Sequence, residues 1–151
     1  MAETVDFHTG MADKLGYACR LLRKAWRAGH RIAVCGSAAE LARLDQLLWT
    51  FEPGEFIPHL RLRAGQAVAP RLQRTPLWLV ERAGDAQASQ AQVLLNLGPE
   101  LAGDDPAALA AAYVRVLELV SDDEADVQAG RERWRRYKAA GVDLQRHAPS
   151  A

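Results

Sequence analysis

The feature that most constrains this chain is a regular alternation of short apolar segments with helical segments. Residues 4–8 predict a short strand, residues 11–28 predict a helix, and Gly29 predicts its end. The apolar side chains at helical spacing are Leu15, Ala18, Cys19, Leu22, Ala25 and Trp26. Residues 31–36 are short, apolar and β-branched, as is typical of a covered parallel strand. Together these segments predict a strand–helix–strand unit.

The middle of the chain continues the alternation. Ser37 and Glu40 have the spacing of a capping box, in which side chain and backbone satisfy each other's hydrogen bonds. They predict a second helix, whose apolar stripe is Leu41, Leu44 and Leu48. Short apolar segments at 76–81 and 93–97 predict two further strands.

The last third of the chain predicts two more helices and a fifth strand. Asp104 or Asp105 with Pro106 indicates a helix start, and residues 113–120 predict the strand. Ser121 and Glu124 repeat the capping-box spacing before a final helix. The sequence therefore predicts a single α/β domain over 1–144, with about five mostly parallel strands, helices on both faces, and a flexible tail at 145–151.

Composition excludes several classes of protein. With 151 residues and 49% hydrophobic side chains, the chain has the size and core of one globular domain. Nineteen basic and nineteen acidic residues leave no overall field that would attract nucleic acid or an anionic membrane. Both cysteines lie in apolar segments, the first ten residues have neither a basic start nor an apolar signal core, and no apolar run approaches the ~20 residues of a membrane helix, so we expect neither secretion nor membrane insertion. We therefore expect a cytoplasmic protein that does not bind membranes.

Motifs for catalysis are weak. The turn at 35–40 lies between a strand and a helix, where α/β folds often bind phosphate, but it lacks the further glycines or the lysine of a nucleotide-binding loop. None of the four histidines has a metal-binding or nucleophile-activating context, and His59 is predicted to make a structural hydrogen bond. We predict no catalytic, cofactor or metal site; a nucleotide-binding protein using the Ser37 helix remains an alternative.

Residues 48–59 combine large apolar side chains with a Pro-Gly turn. Trp49, Phe51, Phe56 and Ile57 are of the kinds that fill pockets on a partner protein, and they are also of the kinds that fill a core. Burying all of them around one turn is difficult. From these residues alone, an interaction surface and core packing are equally supported.

The final helix is acidic at its start and basic at its end, a polarity that the helix dipole alone would favour. Arg131, Arg135 and Lys138 nevertheless form one basic ridge, and Val127, Trp134 and Tyr137 form an apolar row on the neighbouring face. This pattern favours a groove for a peptide that carries acidic and aromatic residues. The alternative is direct single-stranded nucleic-acid binding by this helix with Arg61, Arg63, Arg71 and Arg74.

Four segments, 17–34, 43–59, 93–98 and 131–141, resemble the chi subunit family of bacterial DNA polymerase III holoenzyme in order and spacing. The resemblance implies a Rossmann-like sheet without a nucleotide site. It also implies a non-catalytic replication adaptor that links the clamp loader, through the psi subunit, to single-stranded-DNA-binding protein. DNA would be contacted only indirectly.

The resemblance also implies which residues bind. Trp49 and Phe56 match family positions that bind psi, with Phe51 and Ile57 beside them, and a helicase uses the same surface in some relatives. Val120 and Arg131 match positions that bind the acidic C-terminal tail of single-stranded-DNA-binding protein. The implied neighbours in that second site are Trp134, Arg135, Tyr137 and Lys138.

Overall fold

The computed structural model describes residues 4–51 and 53–148, which form one parallel sheet covered by helices on both faces. The strands are β1 (Thr4–Met11), β2 (Ile32–Cys35), β3 (His59–Arg61), β4 (Leu77–Val80), β5 (Val93–Asn96), β6 (Arg115–Ser121) and β7 (Asp143–His147). Their order across the sheet is β3-β4-β2-β5-β6-β1-β7, and every neighbouring pair is parallel. The α/β class and the Rossmann-like arrangement predicted from the sequence are confirmed.

The helices explain why the central strands are apolar on both sides. The α-helices of the described chain are α1 (Lys14–Arg27), α2 (Ala38–Thr50), α3 (Pro106–Ala112) and α4 (Glu124–Ala139). Helices α1 and α2 bury their leucine-rich stripes against one face, which we call the α2 face, while α3 and α4 cover the other, the α4 face. Every residue of β2, β4 and β5 is consequently buried, as expected for doubly covered parallel strands.

Of the three helix starts predicted from capping residues, two are confirmed and the third is wrong. The Ser37 hydroxyl accepts the Glu40 N–H at 3.2 Å at the start of α2, and Asp105 caps α3. The last helix is capped by Asp123, whose carboxylate accepts the Asp126 N–H, rather than by Ser121. Ser121 belongs to β6, so the strand extends into the segment that resembles a capping box.

The sheet has seven strands where the sequence predicts about five. The additional strands are β3, only three residues long, and β7, whose sequence is almost entirely polar. Both lie at the edges of the sheet, where one side of a strand faces solvent and the apolar pattern is weakest. Residues 145–147, predicted as part of a flexible tail, pair with β1 in β7, and this boundary prediction is wrong for them. Residues 149–151 lie outside the described residues.

Candidate functional site

A cleft of about 570 Å³ opens at the carboxyl ends of β6 and β1, beneath the first half of α4. We call it the α4 cleft; it is lined by Phe7, Thr9, Gly10, Val120, Ser121, Asp122, Val127, Gly130, Arg131, Trp134 and Arg146. Strand β6 leads to α4 on one face of the sheet, whereas β1 leads to α1 on the other. The two connections diverge, and such a divergence is where open α/β sheets place ligand crevices.

The floor of the α4 cleft depends on a close approach between helix and strand. A Cβ atom on Gly130 would lie 2.6 Å from Cγ2 of Val120, so only glycine lets α4 lie this close to β6. The Trp134 ring meets the Phe7 ring edge-on, with 5.1 Å between centroids. Aliphatic and aromatic surface thus forms the floor.

The charges around the α4 cleft are unbalanced. Arg131 and Arg146 are exposed cations on its lining, and within residues 4–51 and 53–148 neither has a carboxylate at ion-pair distance. Asp122 is the acidic residue of the lining. An apolar cleft beside two unpaired guanidinium groups suits a ligand with an apolar group and several negative charges.

Three of the six residues predicted for this site line the cleft, namely Val120, Arg131 and Trp134. Arg135 is exposed on α4 outside the lining and forms an ion pair with Glu132 at 3.2 Å. Lys138 is exposed one turn further along, also outside the lining. The basic ridge seen in the sequence therefore reaches the cleft only at its first member.

Tyr137 is not at the surface, which corrects its predicted place among ligand-contacting residues. It is fully buried, and its hydroxyl donates to Glu118 Oε2 at 2.8 Å. Arg133 Nε donates to Glu118 Oε1 at 2.8 Å, and Asn96 Nδ2 donates to the same oxygen at 3.0 Å. Tyr137 therefore supports the cleft from below, because it ties α4 to β6.

This buried network shifts the pKa of the Glu118 carboxyl group at its centre. Burial raises the pKa of the Glu118 carboxyl, while the Arg133 charge and the hydrogen bonds from Tyr137, Arg133 and Asn96 act in the opposite direction. Burial and the Glu118 charge together raise the pKa of the Tyr137 hydroxyl, which keeps it a donor. Glu118 is thus the internal anchor that ties α4 to β6.

A second surface lies on the α2 face. Trp49 and Phe56 are 58% and 54% exposed, and their ring centroids are 5.0 Å apart. The side chain of His59 is buried against them, with Nε2 2.9 Å from Asp45 Oδ1 and Nδ1 2.8 Å from the Ile57 carbonyl oxygen. His59 thus has the structural role predicted for it, and it holds two large rings exposed. We call Trp49, Phe56 and the adjoining Leu47 the Trp49 surface.

The other two residues predicted for the Trp49 surface lie deeper. Ile57 is 1% exposed and belongs to the core between α2 and the sheet, so its predicted place on the surface is wrong. Phe51 is half-buried, with the Arg23 guanidinium carbon 5.5 Å from its ring centroid. A shallow cleft of about 600 Å³, lined in part by Leu47 and Trp49, extends the apolar surface along α2.

The N-terminus of α2 is where the alternative of nucleotide binding would place a phosphate. The Glu40 carboxylate lies in the first turn, and Lys14 Nζ is held by Glu40 at 2.9 Å and Asp126 at 3.1 Å. The two carboxylates place negative charge beside Lys14, which disfavours binding of a phosphate there. Among the described residues, no group of three or more histidine, cysteine or acidic side chains is arranged to hold a metal.

The fold and its surfaces define a Rossmann-like α/β protein with two open surfaces on opposite faces of one parallel sheet. The family model described as DNA polymerase III chi subunit, HolC, matches residues 1–145. The chain therefore belongs to the DNA polymerase III chi subunit family, and it is an accessory subunit of DNA replication. Membership in this family implies assembly with other subunits of the DNA polymerase III holoenzyme.

Individual relatives agree with this assignment. The chi subunit of Pseudomonas aeruginosa is 36% identical over 148 residues, covering 95% of this chain and 94% of the relative. The chi subunits of Haemophilus influenzae and Escherichia coli are each 27% identical, covering 84% and 93% of this chain and 81% and 87% of the relatives. Within residues 4–51 and 53–148, none of the helices combines the length with the hydrophobicity of a membrane-spanning segment.

A solved structure of a variant Saccharomyces cerevisiae Dbp5 C-terminal domain, bound to a Gle1 variant and IP6, has a similar fold. Its TM-score is 0.61 at 13% identity, with 96% of this chain and 90% of that chain covered. At this identity the likeness concerns the fold alone.

Proposed function

We propose that this protein is a non-catalytic adaptor whose α4 cleft binds the acidic, phenylalanine-ending C-terminal tail of single-stranded-DNA-binding protein. The observation that carries the proposal is Arg131, a cation with no described carboxylate partner on the lining of an apolar cleft. A guanidinium group binds a terminal carboxylate through two parallel N–H groups, which an ammonium group does not do. The floor near Trp134 and Phe7 offers an aromatic ring edge-to-face contacts.

The Trp49 surface serves the second partner in this proposal, the psi subunit of the clamp-loader assembly or, in its place, a helicase. Two neighbouring aromatic rings, each more than half exposed, form the kind of anchor that dominates protein interfaces. Because the α4 cleft and the Trp49 surface lie on opposite faces of the sheet, both partners bind at once. An adaptor requires such simultaneous binding. In this proposal the protein contacts DNA only indirectly, through single-stranded-DNA-binding protein.

Arg135 and Lys138 contribute to this proposal from outside the cleft. Both are exposed, and Arg135 already pairs with Glu132, so they add a general positive potential rather than a fixed contact. Their effect is screened by salt to a greater extent than a contact inside the cleft. Two buried cysteines, one with a pKa raised by burial to about 11, suit the cytoplasm in which we place the protein.

Titration with a labelled tail peptide tests the cleft assignment. We expect micromolar binding by the wild type, since a short peptide forms few desolvated contacts, and roughly tenfold weaker binding by Arg131→Ala. Arg74→Ala is the matched control, because Arg74 is exposed ahead of β4, at the opposite end of the strands. Equal binding by wild type and Arg131→Ala would remove the cleft from the proposal.

A pull-down with Trp49→Ala tests the second surface separately. We expect the variant to lose psi or the helicase while it keeps full affinity for the tail peptide, because the two surfaces share no residue. Loss of peptide binding by Trp49→Ala, with an unchanged melting temperature, would contradict the assignment of separate surfaces.

A further inference from the structure

Arg146 belongs to the α4 cleft although the sequence places it in a tail. It lies in β7, paired in register with Phe7 of β1. Leu144, two residues earlier, packs into the core beneath α4, so Arg146 points to the same face of the strand. Its Nε atom donates to Thr9 Oγ1 at 3.1 Å. This hydrogen bond holds the guanidinium group beside Thr9, which also lines the cleft.

The cleft is electrostatically asymmetric across the sheet. Strand β1 separates β6 from β7, so the two flanking strands are about 10 Å apart. Asp122 directly follows β6, whereas Arg146 lies on β7. A chain of negative charges lying across the cleft is repelled at the β6 side and attracted at the β7 side.

We propose that Arg146 binds the acidic residues that precede the terminal residue of the tail peptide, while Arg131 holds the terminal carboxylate. The peptide then leaves the cleft over β7, away from Asp122. This inference rests on the proposed function and adds the direction of the bound peptide and a second cationic contact. It also makes the pairing of β7 with β1 a condition for full affinity.

The expected contribution of Arg146 is modest. Arg146 is exposed, so its contact with a carboxylate is screened by water, and we expect Arg146→Ala to weaken peptide binding about threefold to fivefold. Arg131 contacts a fixed carboxylate beside an apolar floor, and its removal has the larger effect.

Three peptides separate the two arginines: the acidic peptide with a free C-terminus, the same peptide amidated, and one in which asparagine replaces each aspartate. Fluorescence anisotropy titrations use wild type, Arg131→Ala, Arg146→Ala and Arg74→Ala. We expect the loss caused by Arg146→Ala to disappear with the asparagine peptide and to persist with the amidated peptide. The loss caused by Arg131→Ala should show the opposite pattern.

The outcomes distinguish this inference from the proposed function. Failure of the wild type to bind the acidic peptide overturns both. Normal binding by Arg146→Ala, together with weakened binding by Arg131→Ala, overturns the inference alone. Arg146→Lys keeps the charge, and we expect it to retain most of the affinity. A loss as large as that of Arg146→Ala, at an unchanged melting temperature, also overturns the role assigned to the charge.

Discussion

Replacing Arg133 with methionine tests how α4 is anchored under the cleft. Arg133 is 2% exposed, and its guanidinium group donates to Glu118 Oε1, the Pro99 carbonyl and the Leu119 carbonyl, at 2.8, 3.0 and 3.2 Å. Arg133→Met fills similar space but removes every one of these donors. The Glu118 carboxylate then remains buried with only Tyr137 and Asn96 as described donors.

The magnitude follows from the burial of both partners. Removing one member of a buried ion pair costs about 3–5 kcal/mol, because the other charge stays desolvated. A domain of this size has a free energy of unfolding of roughly 5–15 kcal/mol, so the variant is expected to be marginal. In thermal unfolding, the expected decrease of the melting temperature is roughly 6–20 °C.

The stability lost in Arg133→Met is expected to depend on pH. Burial raises the pKa of Glu118, and in Arg133→Met the largest opposing charge is gone. An acid whose pKa is higher in the folded than in the unfolded state destabilises the fold above its unfolded pKa of about 4.3, and the cost disappears below that value. The difference between wild type and variant should therefore shrink as the pH falls from 7 toward 5.

Urea unfolding followed by circular dichroism measures these differences. The double variant Arg133→Met with Glu118→Gln removes the unpaired charge, and we expect it to recover more than half of the lost stability. A loss below about 1 kcal/mol for Arg133→Met, or no recovery in the double variant, would refute the reasoning.

Three further predictions concern the cleft and the core. Gly130→Ala places a Cβ atom 2.6 Å from Val120, and we expect this overpacking to lower the free energy of unfolding by about 1–3 kcal/mol. The higher helix propensity of alanine restores at most about 1 kcal/mol of that loss. We also expect weaker peptide binding by this variant in the same titration. Peptide affinity should fall as salt rises from 50 to 300 mM; an affinity independent of salt would contradict the charge-based account. Burial raises the pKa of the Cys19 thiol to about 11 and that of Cys35 further, so neither should react with a thiol reagent at pH 8 until urea unfolds the protein.

The sequence predicts the helices and the buried strands because their apolar spacing is set by the core itself. It misses β3 and β7 because edge strands are held by backbone pairing to one neighbour, which places little demand on side chains. Missing β7 also hides Arg146, a cleft cation that lies outside α4. The only local signal for β7 is Gly141 followed by Val142 and Leu144, which pack into the core.

Within α4, helical spacing identifies a basic ridge but not which of its members face a cleft. Arg133 and Tyr137 are four residues apart and both turn inward to Glu118, a contact with a strand residue that no helix-based pattern predicts. Likewise, the choice between core and surface for residues 48–59 depends on His59, which fills the space under Trp49 and Phe56. Ile57 fills the core in their place.

The most direct test of where the acidic peptide binds uses the indole N–H resonances of the four tryptophans in a ¹⁵N-labelled sample. Trp134 lines the α4 cleft, Trp49 lies on the opposite face, and Trp78 is buried with its N–H donated to the Thr75 carbonyl at 2.8 Å. The account predicts that added peptide shifts the Trp134 resonance and leaves Trp49 and Trp78 unchanged. A shift of Trp49 with Trp134 unchanged would contradict it.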